Sequence, residues 1–526
     1  MAEPLYIGLD LSTQQLKCIV LDLECKVKLT IAVNFDKDLP QFGTNNGVHQ
    51  NGDVVTSPVS LWLAAVDLLF TKLAKSGEID LRNVRAISGC GQQHGTVYWS
   101  EQAESILASE LPLTSEEFLN AFTKIDCPIW MDSSTGEQCD RLESKVGGKL
   151  VLAQITGSRA YHRFSGSQIA KVAQYEQDVY SKTQNISLVS SFLGSLLIGK
   201  IAPIDYADGS GMNILDIHAR TWSQDCLKAL APLDTCSAKF AEELKLKLGD
   251  PVSSYETLGK ISKPLAGKYG FSPDCQILAF TGDNPASLVG LCVDEETLLI
   301  SLGTSDTAMF TTKSPNACTD GHLFVHPNAE GWMGMACFKN GSLTRERIRK
   351  SIGFEWVDLN AILAKTDSGN GGNIGFYYDH NEIAPPIKAG DYRYPVENRA
   401  KFTPEIEIRA VLEGQFISKL VYAKRLGWNG KGKIVVTGGA SINSALLQLI
   451  ADIFDLPVFT IAVPDSAALG GALRARYGKE LGTTKITGFE ATNRVEPRGL
   501  RDVYKTLIEK YEELEVKLRK EHGFQE

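Results

Sequence analysis

"LLISLGTSDTAMFTT", residues 298–312, runs from an apolar strand through a tip of Gly, Thr, Ser and Asp into a second apolar strand. Nearly three hundred residues earlier, "YIGLDLSTQQLKCIVLDLE", residues 6–24, has the same shape: Ile7 and Leu9 lead into the polar stretch Asp10 to Gln15, and Ile19, Val20 and Leu21 resume the apolar pattern. Ile7-x-Leu9-x-x-Ser12 overlays on Ile300-x-Leu302-x-x-Ser305, matching both the alternation and the serine. The chain reads as internally duplicated. Either tip alone is also an ordinary connecting turn, since Ser, Thr and Asp favour turns through local hydrogen bonds.

At 526 residues the chain exceeds one core, and a domain size of about 150 residues implies two or more domains with a cleft between lobes. Apolar residues at 43%, charged residues at 22% and a net charge of -9 suit a soluble protein without a broad grip on nucleic acid or acidic lipid. Small molecules are the expected partners. The most apolar stretch, 186–201, is broken by serines and a glycine and falls short of the roughly 20 residues that span a bilayer, so no membrane segment is expected. "MAEPLYIGLD" has neither a basic n-region nor an apolar h-region, and a cytoplasmic location is expected. Eleven cysteines without a Cys-x-x-Cys pair read as buried small hydrophobes in a reducing compartment, not as a disulfide framework or zinc site.

Strands and helices alternate, which predicts an α/β fold. "PVSLWLAAVDLLFTKLAKSG", 58–77, has helical apolar spacing; "VRAISGCGQQHGTVYW", 84–99, is a strand that breaks at Gly89 and Gly91. "KIVVTGGASINSALLQLIADIFDLPV", 433–458, is strand, glycine turn and amphipathic helix, an order that sets backbone N–H groups beside a nucleotide or simply makes a tight connection. "PDSAALGGALRARYG", 464–478, fits a connecting helix near a hinge or ordinary tight packing; "DVYKTLIEKYEELEVKLRKEHG", 502–523, is a charged amphipathic packing helix.

Nine segments then carry a resemblance: "GLDLSTQQ", "GCGQQHGTVYW", "CPIWMDSST", "GSRAYHRFSGSQIAK", "PIDYADGSGMN", "FTGDNPASLVG", "SLGTSDT", "CFKNGSLTRE" and "VVTGGAS". In this order, from about Tyr6 to Gly478, they resemble the FGGY carbohydrate kinases of the sugar kinase and actin superfamily. The resemblance implies two ribonuclease-H-like domains flanking a deep cleft, here 1–294 binding sugar and 295–526 binding ATP. It implies ATP-dependent phosphorylation of a sugar hydroxyl. Gln92-Gln93-His94-Gly95 departs from the Gln-Met-His-Gly of many bacterial relatives, and Trp130-Met131-Asp132-Ser133-Ser134 from a Trp-x-Asp-x-Arg pattern. Both departures agree with eukaryotic members that act on D-xylulose, so its C5 hydroxyl is the expected acceptor. L-ribulose, L-xylulose, glycerol, and a non-catalytic nucleotide-gated role for an actin-like fold are the alternatives.

Phosphoryl transfer needs a base, a metal to neutralise the phosphates, donors around them and exclusion of water. Asp283, after a strand and glycine turn, suits the base, or equally a helix N-cap, and the resemblance favours catalysis; Asn284 beside it is a candidate sugar ligand. Asp10, at a strand end beside Ser12, Thr13 and Gln14, suits Mg²⁺ held through oxygen and water. Gly303, Thr304 and Ser305 offer N–H and hydroxyl donors to the phosphates, the two hairpins closing on ATP from opposite sides. Gly438, Gly439 and Ala440 let the backbone approach the nucleotide, with Asn443 available for a polar contact. By residue-level matching to the family, Gln93, His94 and Arg163 bind sugar hydroxyls, and Trp356 aligns with a position near adenine, against the plain reading of a packing tryptophan.

Overall fold

The computed structural model describes residues 3–328, 330–461, 463, 465–482 and 492–524. Pro464, at the start of the small-residue stretch read above, lies outside them, as do Met1 and Ala2. The chain divides into two compact units: described residues up to Cys292 with those of 324–330 and 463–488 form the first, and the other described residues form the second.

In the first unit, strand Leu5–Leu11 pairs antiparallel with Gln15–Leu21, which pairs antiparallel with Val27–Asn34. On its other side Leu5–Leu11 runs parallel to Val84–Gly91, which runs parallel to Gln276–Leu278. The second unit repeats the frame. Thr297–Leu302 pairs antiparallel with Asp306–Thr312, and that strand with Trp332–Phe338. Thr297–Leu302 also runs parallel to Lys433–Thr437, which runs parallel to Val458–Thr460. Two copies of this five-strand order make both units ribonuclease-H-like, the α/β architecture expected from the duplicated hairpins.

Period-two apolar residues fix these strands because one face must meet helices. Helix Val59–Lys75 buries Leu61, Trp62, Val66, Leu69, Phe70 and Leu73. The 186–201 run is not one element: strand Thr183–Leu188 ends and helix Val189–Ile198, buried along its whole length, begins. Among the described residues no helix is long and apolar enough to cross a membrane. In the second unit, helix Arg501–Glu521 buries Tyr504, Leu507, Tyr511 and Leu518 on one stripe, and its buried Glu515 accepts from Tyr422 and Arg425, each at 2.8 Å.

Two boundaries differ from the sequence reading. Asp10 and Leu11 belong to the strand, so the first tip is only Ser12–Gln14. Strand Val84–Gly91 does not break at Gly89. Helix Ser466–Tyr477 lies so close there that a Cβ on Gly471 would come within 2.8 Å of the Gly89 Cα, while a Cβ on Gly89 would meet the Leu9 carbonyl oxygen at 2.4 Å. Gly471 lets the helix approach the sheet, while the missing Cβ of Gly89 makes room for Leu9 and Phe280 and does not end the strand. The small residues of this helix therefore serve tight packing within the first unit.

Candidate active site

Parallel pairing brings the first group of residues together. Leu11 is in register with Gly91, and the short strand Thr281–Gly282 pairs with Cys90–Gly91, also parallel. Three connections, 12–14, 92–94 and 283–284, consequently leave one sheet at the carboxyl ends of neighbouring strands, where open α/β sheets bind ligands.

Asp283 is the first residue of helix Asp283–Gly290, and Gly282 is its N-cap, so the capping alternative does not apply. Its Oδ1 accepts the Asn284 N–H at 2.8 Å and the Asn284 Nδ2 at 3.1 Å. Desolvation first, and the nearby Asp10 charge second, push this carboxyl from 3.8 up to about 7. Asn284 Nδ2 also donates to Gln93 Oε1 at 3.0 Å.

His94 is buried, with a left-handed backbone at φ 72°. Its Nδ1 lies 2.8 Å from the Gly211 carbonyl, and its ring stacks on Phe164 with centroids 4.3 Å apart. A carbonyl only accepts, so Nδ1 carries the hydrogen and Nε2 keeps its lone pair. Burial, then the Arg163 charge, lower this imidazole to about 3, which keeps it neutral. The Arg163 guanidinium sits 5.0 Å from the centre of the Tyr161 ring and 5.8 Å from that of Phe164.

Asp10 is buried and accepts from Ser12 Oγ at 2.6 Å. Burial raises its carboxyl above the ordinary value, opposed by the Ser12 hydrogen bond and the Lys17 charge. The Thr13 hydroxyl is already engaged: it accepts from Trp130 Nε1 at 2.8 Å and donates to Gln92 Oε1 at 3.3 Å. Gln14 is exposed at the tip, its carbonyl taking the Phe35 N–H at 2.9 Å.

Sequence reasoning left Asp132 without its arginine. It is buried and accepts from Ser134 N, Ser134 Oγ and Gln168 Nε2 on Oδ1, and from Val55 N on Oδ2. Burial works to raise this carboxyl, yet those hydrogen bonds outweigh it and leave it below the ordinary value. Lys171 reaches Ser134 Oγ at 2.6 Å, placing a cation beside the serine that replaces the arginine.

A second group assembles in the second unit by the same parallel logic. Ser301 is in register with Thr437, so the Gly303–Ser305 tip and the Gly438–Ala440 turn emerge side by side. Gly438 has φ 90°, and a Cβ there would meet the Leu302 carbonyl oxygen at 2.4 Å. Gly439 has open space around it, and Thr304 and Ser305 are exposed. Backbone N–H groups of Gly341 and Ser342 hold the Thr304 and Gly303 carbonyls at 3.2 and 2.9 Å. The Asn443 Oδ1 caps helix Ser444–Phe454 through Ala445 and Leu446. Its Nδ2 instead reaches the Trp356 carbonyl at 3.4 Å, bringing those two residues together. The Trp356 indole N–H donates to Glu346 at 3.0 Å.

The roles of three site-supporting residues went unread. Gln92, Asp208 and Asp306 belong to the quoted motifs without a role of their own, and Asp306, read with the second tip, is the first residue of the strand that follows it. Its buried carboxylate accepts the Gly303 N–H at 3.2 Å and is paired with Arg345 and Lys419 at 2.7 and 2.9 Å.

A buried carboxyl and a buried imidazole thus stand at the carboxyl ends of strands in one sheet, and a glycine-lined turn follows the matching strand in a second copy of the same frame. Residues 123–290 match the N-terminal domain, and residues 298–478 the C-terminal domain, of the FGGY family of carbohydrate kinases. The chain belongs to the FGGY family of carbohydrate kinases. A xylulose kinase of Rattus norvegicus is 45% identical to it, over 97% of this chain and 96% of that protein. Xylulose kinase 2 of Arabidopsis thaliana is 43% identical, over 90% of this chain and 87% of its own length. The crystal structure of a xylulose kinase from Bifidobacterium adolescentis, 21% identical, shares the fold with a TM-score of 0.78 over 96% of this chain and 99% of that one.

Proposed function

We propose that this chain transfers the terminal phosphoryl group of ATP to the C5 hydroxyl of D-xylulose, giving D-xylulose 5-phosphate and ADP. The observation that carries the reading is the Rattus norvegicus relative, a xylulose kinase 45% identical across 97% of the chain, taken with the raised carboxyl of Asp283. Residues 1–294 take the sugar, and 295–526 take the nucleotide, in a cytoplasmic enzyme whose mostly buried cysteines suit a reducing medium.

Asp283 is the general base. As the sugar oxygen bonds to the γ-phosphorus and the bond to the ADP oxygen breaks, the hydroxyl proton passes to its carboxylate. A base at about 7 holds that proton far better than an ordinary carboxylate and is still largely ionised at slightly alkaline pH. Asn284, Gln93, the His94 Nε2 lone pair and the Arg163 guanidinium bind sugar hydroxyls and fix their direction, since a polyol is read through individual hydrogen bonds.

Mg²⁺ fits the oxygen donors at Asp10: a buried carboxylate whose charge is disfavoured by desolvation gains from a hard cation, and Ser12 adds a hydroxyl. When bound, the ion supplies positive charge against the phosphate oxygens. Ser12, Thr13 and Gln14 shape that phosphate-facing tip, with Thr13 acting through its backbone because its hydroxyl is engaged. Gly303, Thr304 and Ser305 donate to the phosphates; Gly438, Gly439 and Ala440 let the nucleotide approach the backbone. Trp356 offers its face to adenine, and Asn443 holds the Trp356 segment in place.

The test is ADP release with ATP and Mg²⁺ over a panel of D-xylulose, L-xylulose, L-ribulose and glycerol. D-xylulose is expected to give the highest kcat/KM; a higher value for another acceptor overturns the substrate, and ATP binding without acceptor-dependent ADP release overturns the activity.

A further inference from the structure

The segment "PIDYADGSGMN" carries no role in the reaction above, yet it underlies both consecutive sugar-side residues. The Gly211 carbonyl fixes the His94 tautomer at 2.8 Å, and Asp208 Oδ1 accepts Gln93 Nε2 at 3.3 Å. A Cβ on Gly282 would strike Gln93 Cγ at 2.5 Å and Asp208 Oδ1 at 2.7 Å, so this contact is built tightly against the residue preceding Asp283. The other oxygen of Asp208 meets Ser190 Oγ at 2.6 Å, and the residue is 1% exposed.

We propose that Asp208 is a positioning residue that fixes the amide of Gln93, turning its oxygen to Asn284 and so holding Asn284 against the catalytic carboxylate. An amide side chain has two nearly isosteric orientations, and only its hydrogen-bond partners choose between them. With Asp208 accepting Nε2, Gln93 Oε1 must face Asn284 Nδ2, at 3.0 Å, and the same Nδ2 reaches Asp283 Oδ1 at 3.1 Å. Turning the amide over sets NH₂ against NH₂ at Asn284 and breaks the line from Ser190 to Asp283.

Burial first, then the charges of Asp205 and Asp283, raise the Asp208 carboxyl well above the ordinary value. Asp205, one turn earlier, faces the buried Arg474 and accepts from Ser254 and from the N–H groups of Ala207 and Asp208. Asp208 Oδ1 accepts from Gln93 Nε2 and Oδ2 accepts from Ser190 Oγ. An asparagine keeps the acceptor for Gln93, and its Nδ2 donates to the Ser190 hydroxyl, which accepts as well as donates.

The inference rests on the kinase reading above, and the test separates the two. D208A, which deletes the acceptor, is expected to lower kcat/KM for D-xylulose by up to about 10²-fold, the scale of a misplaced reacting group, with the KM for ATP unmoved. D208N is expected to restore kcat/KM to within about threefold of the parent, because both orienting bonds survive. The double variant D208A/Q93A is expected to lose no more than Q93A alone, since Asp208 acts only through Gln93. Should D208A fail to fold, Asp208→Ser, too short to reach Gln93, carries the same comparisons. Full activity in D208A, D208N as impaired as D208A, or additive losses in the double variant each overturn the assignment. Failure of the kinase reading shows separately, as a parent enzyme with no acceptor-dependent ADP release.

Discussion

Asn284 donates through Nδ2 to Gln93 Oε1 at 3.0 Å, which ties the connection after strand Val84–Gly91 to the helix that starts at Asp283. The residue thus joins the sugar-side loop to the base. N284A removes that tie and, on the proposed reading, a direct sugar ligand with it. It is expected to lower kcat/KM by about 10- to 100-fold, mostly as a higher KM for the sugar, in steady-state assays.

Asp283 sets the pH response. With its carboxyl at about 7, kcat/KM should rise as pH passes through that value and level off above it, because the base works only when ionised. D283E keeps the group but displaces it, and its profile is expected to lie lower at every pH. A flat profile of the parent between pH 5.5 and pH 8.5 speaks against the assignment.

The same carboxyl links stability to pH. Its value rises from 3.8 to about 7 on folding, so between those values the native state holds a proton that the unfolded chain has released. Its contribution to stability is complete below about pH 4 and lost as pH rises through about 7. D283N carries no such charge. Its melting temperature is expected to match the parent near pH 4 and to exceed it at pH 8, as thermal denaturation at both values reports.

Beneath the Gly303 tip, Asp306 balances Arg345 and Lys419 in a fully buried cluster. D306A leaves two buried cations without their counter-ion, a loss of about 3–5 kcal/mol for a broken buried pair. It also frees the Gly303 N–H, so the KM for ATP should rise more than that for the sugar. Denaturant midpoints and the two KM values report both effects; a rise confined to the sugar KM contradicts the role of this cluster.

Gly8 has no room for a side chain: a Cβ there would lie 1.9 Å from the Ala468 carbonyl oxygen and 2.2 Å from Ala472 N. G8A forces helix Ser466–Tyr477 off the sheet and is expected to cost about 1–3 kcal/mol or more in the denaturant midpoint.

How far the sequence could be read depends on whether a residue's role is local. The two hairpins were legible because strand alternation and a hydroxyl-rich tip are written in consecutive residues, and Ile7, Leu9 and Ser12 have their echo in Ile300, Leu302 and Ser305. The placement of Asp283 and His94 just after strand ends was legible in their motifs. Gly89 was misread because a glycine's missing Cβ looks alike whether it ends a strand or makes room beside it for Leu9 and Phe280. Thr13 has the right chemistry for a ligand, but Trp130 and Gln92, distant in the chain, already hold its hydroxyl. Asp208 escaped because an acid that orients another side chain leaves no spacing of its own. Only coordinates set it under Gln93.

The most direct measurement is transfer from γ-labelled ATP to D-xylulose by the purified parent and by D283A, with nucleotide binding followed in parallel. The account expects label on the sugar with the parent, transfer lowered by about 10²- to 10⁴-fold in D283A, and ATP affinity kept in both. D283A that labels D-xylulose at the parent's rate contradicts it.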